Sequence, residues 1–412
     1  MNNHRTRSAK FLTVGFYWAA WVFSYAIRYA LGIVAPILMQ VYHIPPKTMG
    51  YILSGWNWSY TSGILVMGPL VDRFGAWIVT GAGSVVWGLS TVALPLAGDP
   101  SSLFLMRLLF GLGHSVLIAA TAASISREFG GKERARAVAV AYSGNQVGLA
   151  AGATVAAFIL VQVGWKAVFY WIGGTSLLFT VAWFVFYPDK RIGTSAVQPG
   201  PARTDGARPW NSWLAFLNLR STWGIALGQM GYLYALGVFV SWLPGYLVLE
   251  RKMTLLKSGI VSALPFWAGI LATLAGGWLG DHLIKRGVST TRSRKSIIGT
   301  GLIAATLFVS FAAVAQQAWL SVALITLCVC CLRMTTGSVN ALPIDLALGS
   351  GVGALSSIQN FFGNIGAVSA PIVTGYLVSS TGSFTTALVV AGAMAAFGAA
   401  AYLFILGDLE PN

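Results

Sequence analysis

The chain has 412 residues, of which 56% are hydrophobic and only 9% charged, with a formal net charge of +15. Soluble domains carry about 25% charged residues, so a water-exposed globular fold is excluded. The basic excess is not a nucleic-acid signature, because it sorts by side of a membrane. With the spans given below, the Lys and Arg within 5–10, 127–136, 190–220, 285–286 and 292–295, and Arg73, fall on one side. Lys47, Lys166, Arg251, Lys252 and Lys257 fall on the other. This asymmetry predicts a multi-pass protein of the bacterial inner membrane with cytoplasmic N- and C-termini.

A spanning helix needs roughly 20 largely apolar residues. In chain order the apolar runs predict twelve: 12–40, 48–70, 76–96, 102–127, 135–162, 166–187, 218–248, 256–280, 296–315, 319–342, 351–378 and 384–406. The stretch 188–212, with several Gly, Pro and Thr, reads as a cytoplasmic linker between halves 1–187 and 213–412. The first apolar run carries a central Arg and is too long for a cleavable signal.

Span 1 places Arg28 at its middle, on one stripe with Tyr25, Tyr29 and Gly32. A guanidinium fork matches a carboxylate bidentately. The alternative is a residue that only braces neighbouring helices. Span 2 sets Trp56 and Tyr60 on one face at i, i+4 with Asn57 beside them, an aromatic and amide surface for a ring or a sugar. Trp58 points away, towards lipid. The Asp72-Arg73 pair closes span 2, and Asp72 is expected to meet Arg134 or Arg136 as a gate, with Asp281 its counterpart in the second half.

Span 4 holds Arg107 and His114 seven residues apart, hence on one face. Histidine titrates near physiological pH, so His114 is a candidate proton carrier with Arg107 adjusting partners. The bland reading is a neutral, hydrogen-bonded His, and direct substrate contact is a third. Asn145 and Gln146 on span 5, and Tyr232 and Tyr234 on span 7, are weaker candidate polar contacts. On span 10, Cys328, Cys330 and Cys331 read as small apolar fillers, and Arg333 either clamps a second carboxylate or snorkels to the interface. On span 11, Gln359, Asn360 and Asn364 form a polar stripe that either touches substrate or joins helices.

Every acidic residue falls at a helix end, in a loop or in the tail, so the helix interiors hold Arg28, Arg107, Arg333 and His114 and no carboxylate. A lone cation near the bilayer centre costs about 2.5–3.5 kcal/mol or more, which points to an anionic substrate. No metal-ligand spacing exists among the His and Cys, and Gly81-Ala-Gly83 lacks the context of a dinucleotide site. Neither cofactor nor metal nor enzyme activity is expected.

A faint repeat relates the halves. Gly68-Pro-Leu-Val-Asp72-Arg73-Phe-Gly75 follows span 2, and Gly276-Gly-Trp-Leu-Gly-Asp281-His282 follows span 8. Gly144, Gly148 and Gly152 on span 5 are matched by Gly363 and Gly366 on span 11. The fold class is thus all-α, with twelve transmembrane helices in two pseudo-symmetric six-helix bundles.

The Gly68–Gly75 segment resembles the loop 2–3 signature of the major facilitator superfamily. Arg107-Leu-Leu-Phe-Gly111, Glu133-Arg134-Ala-Arg136, Gly164-Trp165-Lys166, Trp242-Leu-Pro244-Gly-Tyr246 and Gly277-Trp278-Leu-Gly-Asp281 together resemble the anion:cation symporter family, which includes sugar-acid and phthalate permeases and vesicular glutamate carriers. The resemblance implies alternating-access symport of a small organic anion with protons, by a monomer in the bilayer that binds no nucleic acid. It also implies a substrate role for Arg28, Tyr60 and the span 11 amides. Two positions depart from the family: Ile27 precedes Arg28 where an Asp is common, and His114 stands where a Glu is common. Anion exchange or uniport is the alternative, and a non-transporting membrane sensor a more distant one.

Overall fold

Backbone N–H and C=O groups crossing a bilayer must be satisfied within the chain, and long apolar runs do so as helices. The computed structural model describes residues 2–190, 216–347 and 352–409, and among these no strand occurs. The first half comprises α1 (Asn2–Val41), α2 (Pro46–Phe74), α3 (Ala76–Ala93), α4 (Pro100–His114), α5 (Val116–Glu128), α6 (Gly131–Val163) and α7 (Trp165–Phe186). The second comprises α8 (Arg220–Leu249), α9 (Leu255–Lys285), α10 (Thr290–Val314), α11 (Ala318–Ala347), α12 (Val352–Thr381) and α13 (Thr385–Ala400).

Eleven helical stretches are long and apolar enough to cross a membrane, one of them being α4 and α5 together. The twelfth expected span, α2, has the length at 29 residues but not the composition. Its middle carries Ser54, Asn57, Ser59, Thr61 and Ser62. The hydroxyls of Ser54, Ser59, Thr61 and Ser62 donate to carbonyls three or four residues back, at 2.7, 3.3, 2.7 and 3.0 Å. That back-bonding removes much of the cost of placing them in an apolar helix.

The span expected at 102–127 is divided at Ser115 into α4 and α5. Gly111, Gly113 and Ser115 cluster there, and Ser115 Oγ donates to the Leu112 carbonyl at 2.7 Å, a recognised cause of kinks. Asp99 caps α4: its Oδ1 accepts from the Ser101 and Ser102 N–H groups at 2.8 and 3.0 Å. The hydrogen bonds from Ser102 hold this carboxyl below its ordinary value of 3.8. A depressed folded-state pKa stabilises above the unfolded pKa and is lost as pH falls. Asp99→Ala is therefore expected to lower the thermal midpoint at pH 7. The gap from wild type should shrink as pH drops below 3.8, in paired melting curves.

The chain divides into two compact units, Met1–Ala202 with Met253–Ala263, and Arg203–Lys252 with Leu264–Asn412. The expected linker 188–212 lies, from 191 on, outside the described residues. Within the first unit α1 and α6 pack along their length. The Cβ that Gly144 lacks would come within 3.2 Å of the Trp18 carbonyl carbon, that of Gly148 within 3.1 Å of the Val22 carbonyl carbon, and that of Gly152 within 2.6 Å of Ala26 Cα. Within the second unit α8 and α12 pack the same way, and a Cβ on Gly366 would meet the Met230 carbonyl carbon at 3.0 Å. The small-residue faces noted in the sequence thus join corresponding helix pairs, allowing backbones to approach where lipid supplies no hydrophobic drive.

Candidate functional site

In the first unit, α1 carries Tyr25 and Arg28 towards α2. The Arg28 guanidinium carbon lies 3.9 Å from the Trp56 ring centroid and 5.2 Å from that of Tyr25. Such cation–π contact is worth about 2 kcal/mol or more when desolvated. The position of Trp56 is set by α4: a Cβ on Gly111 would meet the Trp56 carbonyl carbon at 2.9 Å. On the same crossing, a Cβ on Gly55 would meet Arg107 Cβ at 2.9 Å. Small residues here let α2 and α4 touch, and so fix Trp56 and Arg107 together.

Arg107 is buried, 4.8 Å from the Phe110 ring centroid, and its Nε has no hydrogen-bond partner. His114, one face with it, is fully enclosed. Its ring is surrounded by those of Trp21 (5.7 Å), Tyr25 (5.4 Å), Trp56 (5.7 Å, stacked), Tyr60 (5.1 Å) and Phe110 (5.7 Å). Neither ring nitrogen has a hydrogen-bond partner among the described residues. The hydrogen bond to a Ser or a backbone carbonyl that the bland reading expects is not made among the described residues. Asn57 and Tyr60 are buried on the same helix as Trp56. Tyr29 faces elsewhere, its hydroxyl donating to the Ser262 carbonyl at 3.4 Å. Trp58 is half-exposed, on the outer face as expected.

A ladder not foreseen from sequence leads away from this cluster. Trp21 Nε1 donates to Thr121 Oγ1 at 3.2 Å, the Tyr17 and Ser124 hydroxyls meet at 2.8 Å, and Thr13 Oγ1 donates to Glu128 Oε1 at 2.9 Å. The four-residue spacing of Thr13, Tyr17, Trp21 and Tyr25 was the available signal. A cavity of about 460 Å³ opens beside the far rung, lined by Lys10, Arg127, Glu128, Asp189 and Lys190, well away from Arg28 in sequence and on the helix.

In the second unit, Arg333 is buried at the middle of α11. One turn on, Thr336 Oγ1 and the Tyr232 hydroxyl are 3.0 Å apart. The α12 amides do not form one stripe. Gln359 Nε2 donates across to the Val339 carbonyl of α11 at 3.0 Å, whereas Asn360 and Asn364 donate to carbonyls of their own helix at 2.8 and 2.9 Å. Residues 359 and 360 are about 100° apart around a helix, which separates their faces. The Tyr234 hydroxyl is buried, without a hydrogen-bond partner among the described residues.

The expected gate pairings are not formed in this structure. Asp72 is exposed and, among the described residues, makes no ion pair, while Arg73 lies against the Phe74 ring and Arg134 donates to the Ser126 carbonyl at 3.0 Å. Asp281 is likewise exposed. The carboxylate engaged in that half is Asp345, 3.0 Å from Arg294 Nε. Exposed loop charges gain little from pairing, so sequence proximity of Asp72 to basic residues does not dictate contact. At the other end of the unit, Glu250 accepts from Ser383 Oγ at 2.8 Å and from the Phe384 N–H at 3.3 Å, tying α8 to the start of α13.

Comparison with known proteins agrees with this architecture. The hexuronate transporter of Bacillus subtilis is 29% identical over 94% of this chain and 92% of its own. The D-galactonate transporter of Escherichia coli is 27% identical over 97% and 96%. Among solved structures, a bacterial homologue of the lysosomal transporter Spinster, inward-facing and occupied, superposes with a TM-score of 0.81 at 14% identity, over 95% of this chain and 96% of that one. The nucleoside transporter NupG gives 0.75 at 13%, over 97% and 100%; at such identities the likeness is one of fold. The family model described as Major Facilitator Superfamily matches residues 17–363. With helices that cross a membrane, two units joined internally by glycine-faced helix pairs and relatives that are transporters rather than enzymes, this chain belongs to the Major Facilitator Superfamily.

Proposed function

We propose that the chain is a secondary active transporter of a small organic carboxylate, a sugar acid or an aromatic acid, working by alternating access, with Arg28 as principal anion ligand. The observation that carries this reading is the Arg28 guanidinium held mid-span on the faces of Trp56 and Tyr25. Those rings orient the fork and offer stacking area for an arene or the C–H face of a sugar. Asn57 and Tyr60 supply directed hydrogen bonds, and Arg107 adds positive potential. The relatives named as hexuronate and D-galactonate transporters support the same substrate class. The basic loops support cytoplasmic termini and an inner-membrane location, and Asp72, Arg73, Arg134 and Asp281 are assigned to gating contacts of another conformation.

Coupling is assigned to protons through His114, the group standing where the family commonly has a carboxylate. An anion arriving at Arg28 would offset nearby positive charge and favour taking up a proton with it. One observation favours a second reading, exchange or uniport: His114 lies in an aromatic shell with no polar partner for either nitrogen. The deciding experiment is uptake of labelled gluconate, glucuronate and benzoate into proteoliposomes. Accumulation driven by an inward proton gradient and abolished by a protonophore is the expected result. Accumulation only against a preloaded anion would replace symport with exchange. Uptake of amines with no carboxylate uptake would overturn the anion reading.

A further inference from the structure

We propose that Arg333, with Thr336 and Tyr232, is a second carboxylate-binding site contained wholly within the second unit. The proposal rests on the anion-transport reading above and extends it to a position that the family resemblance does not supply.

Arg333 is 8% exposed, and among the described residues no hydrogen bond or ion pair engages it; its Nε is enclosed without a partner. A buried cation in a membrane helix carries a cost of about 2.5–3.5 kcal/mol on insertion scales, so it persists where an anion meets it. The carboxylates described in this unit do not. Asp345 is taken by Arg294 at 3.0 Å, Glu250 by Ser383 and Phe384, and Asp281 and Asp408 are exposed.

Snorkelling does not account for it either. Arg333 lies midway along the 30-residue α11, about 20 Å from either end at 1.5 Å per residue, beyond the reach of a side chain. The stem has a slot made for it: a Cβ on Gly269 of α9 would come within 3.0 Å of Arg333 Cγ. Thr336 follows one turn later on the same face, and its hydroxyl meets that of Tyr232 at 3.0 Å. A fork of N–H donors with two hydroxyls one turn along the helix offers donors for the two oxygens of a carboxylate. That carboxylate belongs either to a dicarboxylate or to a monocarboxylate, which the titration distinguishes.

The test is isothermal titration of the detergent-purified full chain with gluconate, glucarate, benzoate and phthalate, comparing wild type, Arg28→Gln, Arg333→Gln and Arg333→Lys. If Arg333→Gln binds glucarate or phthalate at least about 10-fold more weakly and leaves gluconate and benzoate unchanged, the site takes an acid group of a dicarboxylate. If instead it lowers the bound monocarboxylates per chain from two to one, the site takes a monocarboxylate. Either result supports the site, and Arg333→Lys, which keeps charge and loses the fork, should fall between. Should Arg333→Gln fail to fold, Thr336→Val and Tyr232→Phe carry the test, with about 3- to 10-fold weaker binding of the affected anion expected. If the Arg333, Thr336 and Tyr232 variants all bind like wild type while Arg28→Gln does not, the second site is overturned and the first stands. If Arg28→Gln also binds like wild type, the anion reading itself has failed.

Discussion

Arg28→Gln is expected to weaken carboxylate binding by about 2–5 kcal/mol, the usual cost of truncating one partner of a buried, hydrogen-bonded charge pair. That is roughly 30-fold to several-thousand-fold in affinity, enough to abolish measurable uptake. The substitution removes the fork and also the cation held 3.9 Å over Trp56, so the ring loses the group it orients. Arg28→Lys should retain attraction but not bidentate geometry, giving weak, less selective binding. Titration and proteoliposome uptake read both effects. Wild-type affinity in Arg28→Gln would mean that the guanidinium only braces α1 on α2.

The second large effect is expected from Gly111→Leu. A Cβ at this position already meets the Trp56 carbonyl carbon at 2.9 Å; besides the Ser59 hydroxyl, the opposing atoms are the Trp56 carbonyl, backbone that cannot swing aside. α2 must move away from α4, at a cost of about 1–3 kcal/mol for overpacking or more. The displaced element carries Trp56, Asn57 and Tyr60, so the loss should appear twice. The thermal midpoint falls, and carboxylate affinity falls further than Gly111→Ala, with its smaller side chain, would cause. A variant that melts early but binds with wild-type affinity would separate Trp56 from the site. Melting curves with and without ligand distinguish the cases, since a ligand that binds only the folded state raises stability by mass action.

Much of the fold was legible because the bilayer dictates element length. Apolar runs of about 20 residues gave the spans, and helices such as α9 overran the expected 256–280 only at the ends, reaching Leu255–Lys285. α2 was legible by length although its middle is polar, and its hydroxyls bond backward along their own helix. The buried cations were legible from the placement of the acids. What sequence could not deliver was adjacency. The rings around His114 come from α1, α2 and α4, and each helix alone shows only one stripe. The rungs pairing Thr13 with Glu128 and Tyr17 with Ser124 need α1 to lie against α5, a non-local fact. For Arg333 the sequence left a carboxylate clamp and snorkelling open; that its stem packs against Gly269 is a contact between helices that no single span displays. The expected gate residues were read from motif position, and motif position does not fix which charges meet: Arg134 donates to the Ser126 carbonyl instead.

The polar middle of α2 has a consequence for how the helix settles in the bilayer. Polar side chains lower the gain from moving a segment into lipid. The Ser, Thr and Asn side chains of α2 become acceptable once α4 covers the face bearing Trp56, where Gly111 admits the close approach. Cover by α4 is then expected to add to the stability of α2 in the bilayer. The face that holds the Arg28 guanidinium over Trp56 is thereby also one that helps α2 settle in the membrane.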